Sequence, residues 1–156
     1  MKPEHKHLRR LDQVWIENPI YFITVCTFRR RIILAEQAVV KIIQDELAFA
    51  SSKHGWHVGR YVIMPDHIHF FARSEPTAKN LSSFMKLWKE WTSKRIQKEI
   101  GAAGNIWQKE FFDHLLRNPQ SYDLKWQYVA ENPVRAGFVA RTSDWKWQGE
   151  IEDLQL

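Results

Sequence analysis

The sequence predicts an α/β domain of the α+β kind, organised on an antiparallel sheet, and three observations carry that reading. First, Tyr61–Arg73, YVIMPDHIHFFAR, holds two short apolar runs split by Pro65 and Asp66. A Pro-Asp pair suits the centre of a tight turn, so the stretch reads as a hairpin. Second, Ile20–Phe28, IYFITVCTF, is rich in β-branched and aromatic residues and reads as a further strand. Third, apolar residues recur at helical spacing in three other segments. A chain of 156 residues is long enough for one core and too short for two, so residues 1–156 are taken as a single domain.

Taken in order, residues 1–18 form a polar, basic N-terminal arm with His5, Lys6, His7, Arg9 and Arg10. The strand Ile20–Phe28 has apolar positions on both faces, which places it centrally in the sheet. Arg29, Arg30 and Arg31 close it, as a solvated rim or as a phosphate clamp. From Ala35 to about Lys53, Val39, Ile43, Leu47 and Ala50 mark a helix ended by Gly55. Trp56–Met64 is the second strand and leads through the turn into the third. His54 and His57 read as surface or cap residues. A second helix runs from about Ala78 to Ile100, with Leu81, Phe84, Trp88 and Trp91 as its apolar stripe and Lys86, Lys89, Lys94 and Lys98 on other faces. Asn105–Phe112 is irregular or strand-like. Asn118 before Pro119 caps a last helix, and Pro133 stops it near Asn132.

Composition narrows the function classes. Lys and Arg outnumber Asp and Glu by 23 to 18, giving a net charge of +5 and a pI near 9.4, with 8 Trp, 9 Phe and 4 Tyr. Basic groups interleaved with aromatics suit single-stranded nucleic acid, where cations follow phosphates and rings stack on bases. Arg29, Arg30, Arg31, Lys86, Lys89 and Arg135 are the candidate phosphate contacts. The single cysteine, Cys26, excludes an intramolecular disulfide and reads as core packing. With no apolar run of membrane-spanning or signal length, the expectation is a cytoplasmic protein.

Two groupings carry chemistry. Alternation along the third strand puts His67, His69 and Phe71 on one side and Ile68, Phe70 and Ala72 on the other. The two imidazoles project side by side, roughly 7 Å apart along the strand, near enough to converge on one divalent ion. A half-exposed, hydrogen-bonded pair fits the same pattern. On the last helix, Tyr122, Trp126 and Val129 share one stripe, assigned to the core. Tyr128 and Asn132, one turn apart, lie on another face with Ser121 and Lys125 nearby, either as edge packing and a cap or as part of a site.

Taken together, MPDHIHFF at 64–71, Trp107-Gln108, FFDHLLR at 111–117 and YVAENPVRAG at 128–137 resemble the REP-associated tyrosine transposases. These are relatives of the single-tyrosine insertion-sequence transposases with a His-hydrophobe-His (HUH) nuclease site. The similarity runs from about Tyr21 to Trp147. It implies a ferredoxin-like central antiparallel sheet with helices packed on one face and the active site on the other. It further implies His67 and His69 as metal ligands, Tyr128 as the nucleophile and Asn132 in the place of a third, amide ligand, where some relatives carry the longer Gln. The implied cofactor is Mg²⁺ or Mn²⁺, and the implied partner is single-stranded or hairpin DNA, bound by a monomer or a homodimer. The chemistry is that of a DNA-cleaving transesterase working through a 5′-phosphotyrosine. A metal-dependent nuclease without a covalent step and a non-enzymatic nucleic-acid-binding domain are the competing readings. His114 and Asp113 receive no role.

Overall fold

The computed structural model describes residues 17–155, so most of the basic arm, including His5, Lys6, His7, Arg9 and Arg10, lies outside the described residues. Five strands form one antiparallel sheet: β1 (Ile20–Cys26), β2 (Trp56–Met64), β3 (His67–Ser74), β4 (Phe112–Leu116) and β5 (Gln148–Glu150). Their order is β4-β1-β3-β2-β5, which leaves the histidine strand β3 in the centre. The Pro65-Asp66 turn closes the β2–β3 hairpin with Met64 opposite His67. β1 lies antiparallel on the other side of β3, with Thr24 opposite His69 and Cys26 opposite His67.

Each face of the sheet carries its own core. On one, Ile23, Val25, Ile68 and Phe70 pack against α1 (Gln37–Ala48), α2 (Ala50–His54) and α3 (Leu81–Ile100). On the other, Phe22, Val62, Met64 and Phe71 pack against Tyr122 and Val129 of α4 (Pro119–Ala130). Alternation puts His67 and His69 on this second face. The helix that carries both tyrosines therefore covers the histidine side, while α1, α2 and α3 pack opposite.

Several expected boundaries move. β1 ends at Cys26 because Arg29 and Arg30 adopt left-handed backbone, with φ of 56° and 54°. The first expected helix is split into α1 and α2 at Phe49. α3 starts at Leu81, because the Asn80 side chain accepts from the Ser83 amide and caps it. Its buried row is Phe84, Trp88, Thr92 and Ile96, and Trp91 is 47% exposed, so Trp91 leaves the expected stripe. Thr92 is tolerated in the core because its hydroxyl donates to the Trp88 carbonyl and accepts from the Trp107 indole. Residues 105–111 are irregular, and the strand lies at Phe112–Leu116 instead. The last expected helix ends at Ala130, ahead of Pro133, and a separate single turn, α5 (Asn132–Arg135), follows with the proline in its first turn, where it removes no needed hydrogen bond. His54, expected at the surface, is buried against the Phe84 ring, and its Nδ1 has no partner among the described residues.

Candidate active site

The two imidazoles are held from behind. Asp66, the second turn residue, places Oδ1 2.7 Å from Nδ1 of His67, and its Oδ2 accepts from Arg30 Nε at 2.9 Å. The left-handed backbone at Arg30 turns that guanidinium back over the hairpin, where Nη1 also donates to the Cys26 sulfur. Burial alone would raise the Asp66 carboxyl, but hydrogen bonds from Arg30 and His67 outweigh it and hold the carboxyl below its ordinary range. Across the strand pair, Thr24 Oγ1 lies 2.8 Å from Nδ1 of His69. Both Nδ1 atoms are thus engaged, and Nε2 is the nitrogen of each ring left for a ligand. The rings are 4.8 Å apart, centroid to centroid.

His69 stacks on Phe22 at 5.2 Å and is kept neutral: burial, then the charges of His67, Lys125, Arg30 and Arg135, lower its pKa to about 3. A neutral imidazole is the form that binds a metal. Among the described residues no group of three or more His, Cys, Asp or Glu stands together to hold an ion.

The two tyrosines of α4 have opposite environments. Tyr122 is 1% exposed; its ring meets Phe71 edge-on, and burial pushes its hydroxyl up to about 12. The β2 backbone makes room for it at a bulge after Val58, where a Cβ on Gly59 would stand 2.9 Å from the Tyr122 oxygen. Tyr128 is 62% exposed. The Arg135 guanidinium lies 4.2 Å from its ring centroid, donates to its backbone carbonyl and also donates to Oδ1 of Asn132. Contacts lead from Tyr128 to the histidines: the Lys125 ammonium is 6.0 Å from the Tyr128 ring and 4.6 Å from that of Phe22, which stacks on His69.

Of the expected phosphate contacts, Arg30 and Arg135 flank this site. Arg29 lies over Phe28, and Arg31 donates to the Asn105 carbonyl. Lys86 and Lys89 line a separate groove between α3 and residues 104–111, where Lys89 donates to the carbonyls of Gln108 and Lys109. Trp91 is the exposed tryptophan among the described residues. Thr24 escaped the sequence reading, and Lys125 was placed near Tyr128 and Asn132 without a role of its own. Asp66 was visible only as a turn former, although a carboxylate directly before a candidate ligand is itself a signal.

The chain has known relatives. A REP-associated tyrosine transposase of Escherichia coli (strain K12) is 28% identical over 147 residues, covering 90% of this chain and 81% of the relative. A solved structure of a REP-associated tyrosine transposase bound to a REP hairpin superposes with a TM-score of 0.68 at 25% identity, over 83% of this chain and 75% of that one. A crystal structure of a Deinococcus radiodurans R1 protein shares the fold at 19% identity, with a TM-score of 0.56 over 72% of this chain and 88% of its own. The family described as Transposase IS200 like matches residues 16–132, which takes in the histidine hairpin, both tyrosines and Asn132: the chain belongs to the IS200-like transposases.

Proposed function

We propose that this protein is a metal-dependent single-stranded DNA transposase that cuts and rejoins strands at palindromic hairpins through a 5′-phosphotyrosine on Tyr128. One observation carries the reading: of the two tyrosines on the helix covering the histidine face, Tyr122 is buried and Tyr128 is open to solvent. The likeness to a transposase solved with a REP hairpin supports hairpin DNA as the substrate.

In the cleavage step the Tyr128 phenol oxygen attacks the scissile phosphorus and gives up its proton. The bond from phosphorus to the 3′-oxygen breaks, and that oxygen takes a proton to leave as a 3′-hydroxyl. The number of phosphoester bonds is unchanged, so a 3′-hydroxyl can later attack the phosphotyrosine and reseal a strand without a nucleotide cofactor. Arg135 over the phenol ring and Lys125 beside it bring positive charge to where the phosphate gathers negative charge. His67 and His69 through Nε2, with the Asn132 amide oxygen, would hold Mg²⁺ or Mn²⁺, which when bound acts as a Lewis acid on the phosphate. The neutral His69 ring and the engaged Nδ1 atoms suit that role. The Asn132 oxygen accepts from Arg135, which leaves its second lone pair for the ion. Arg29, Arg30, Arg31, Lys86 and Lys89 are proposed as phosphate contacts, which makes binding weaken with salt.

The test incubates the full chain with a single-stranded hairpin oligonucleotide and Mn²⁺. Strand cleavage with a detergent-resistant protein–DNA adduct is expected, and His67→Ala, His69→Ala or a chelator abolishes both. Cleavage without any adduct would mean that water is the nucleophile and would overturn the proposal.

A further inference from the structure

Beside Tyr128, between β4 and α4, lies an open cleft of about 490 Å³ lined in part by His114, Leu115, Leu124 and Lys125. Its composition is mixed in a telling way. Leu124 of α4 is 65% exposed, so a large apolar side chain stands in water next to the exposed tyrosine. Lys125 makes no ion pair among the described residues, and its ammonium lies between the Tyr128 and Phe22 rings. His114 is exposed on β4 directly opposite Phe22 in the strand register, which turns it to the sheet face that bears His69. An imidazole offers both a donor and an acceptor at such a position.

We propose that this cleft is a nucleotide subsite. It seats one nucleotide flanking the scissile phosphate of single-stranded DNA, with the Lys125 ammonium on the phosphate, Leu124 against the base and His114 hydrogen-bonded to the base edge. The proposal rests on the reading of Tyr128 as the nucleophile and adds a specificity element to it. An apolar wall with one cation and one bifunctional polar group is the chemistry that a base and its phosphate require. The volume falls in the range of small-ligand sites. Tyr128 lines the same cleft, so the nucleotide meant is one of the two that adjoin the phosphate under attack.

The experiment uses the full chain, Mn²⁺ and a single-stranded hairpin oligonucleotide with randomised flanks, and sequences the DNA in the covalent adduct. Wild type is expected to show a base preference at a position adjoining the phosphotyrosine or the released 3′-end. His114→Ala and Leu124→Ala flatten that preference while adduct still forms. Lys125→Gln lowers adduct yield for all sequences alike and reduces the salt slope of binding by about one. Placing an abasic site at the preferred position should reproduce the loss in wild type, whatever the folding of any variant. Adduct on Tyr128 with no base preference, or with a preference that survives His114→Ala, Leu124→Ala and the abasic site, overturns the subsite alone. An unchanged salt slope in Lys125→Gln overturns the phosphate contact. No adduct from wild type overturns the nucleophile reading, and the subsite falls with it.

Discussion

Replacing Asp66 with Ala should loosen metal binding without touching a ligand. The carboxylate lies 2.7 Å from His67 Nδ1 and accepts from Arg30 Nε at 2.9 Å, so it fixes which nitrogen of the ring carries the proton and where the ring points. Losing such a partner behind a metal-binding histidine typically lowers metal affinity by about 10–100-fold. At about 1.4 kcal/mol per tenfold, that is about 1.4–2.8 kcal/mol. Asp66→Ala should reach the upper part of that range, because Arg30 would also lose its partner and leave an uncompensated guanidinium 3.5 Å from the same ring nitrogen. Asp66→Asn keeps an oxygen acceptor without the charge and should fall at the lower end. Mn²⁺ titration by electron paramagnetic resonance reads the affinity. Proton–nitrogen NMR of the imidazoles in metal-free protein reads the tautomer independently, with His67 protonated at Nδ1 in wild type and mixed in Asp66→Ala. Mn²⁺ affinity within about twofold of wild type, together with an unmoved tautomer, would show that Asp66 does not orient His67.

Two further predictions concern the scaffold. Gly59→Ala would put a methyl carbon 2.7 Å from Leu154 Cδ1 and 2.9 Å from the Tyr122 oxygen, and overpacking of this kind costs about 1–3 kcal/mol, which denaturant unfolding would detect as a lowered midpoint. A midpoint equal to wild type would mean that Tyr122 is not locked where it stands. His54 is neutral in the fold because burial lowers its pKa, aided by the charges of Lys79 and Lys53 against the opposing pull of Glu46. The unfolded chain binds a proton there near the ordinary value of 6.5, so as pH falls below 6.5 the unfolded state gains protons and stability drops, by up to about 1.4 kcal/mol per pH unit. His54→Leu should flatten that acid limb, and parallel limbs for variant and wild type would show that His54 takes no part in it.

What could be read from the sequence was what is local. The β2–β3 hairpin was legible because two-residue alternation and a Pro-Asp turn sit within one short stretch, and the same alternation set His67 and His69 on one face. The split between Tyr122 and Tyr128 followed from helical period alone and matches their burial. The rest depended on partners far along the chain. β4 is a short edge strand of mixed polarity that pairs with β1, and no local pattern reveals that pairing. Trp91 fell off the expected stripe because the buried row of α3 runs at spacings of four through Thr92, a polar residue whose place in the core depends on Trp107. Asp66 acquires its second task only when Arg30 takes a left-handed backbone and returns to meet it.

Comparing Tyr128→Phe with Tyr122→Phe decides whether Tyr128 is the nucleophile. Each variant removes one oxygen: from an exposed ring in the first, and in the second from a buried ring whose hydroxyl accepts a long 3.5 Å contact from the Arg60 amide. Both should fold, and both should bind Mn²⁺ and single-stranded DNA like wild type. With a hairpin oligonucleotide and Mn²⁺, wild type and Tyr122→Phe should yield a covalent adduct that peptide mass spectrometry assigns to Tyr128, and Tyr128→Phe should yield none. An adduct in Tyr128→Phe, or its loss in a folded Tyr122→Phe, would contradict the account.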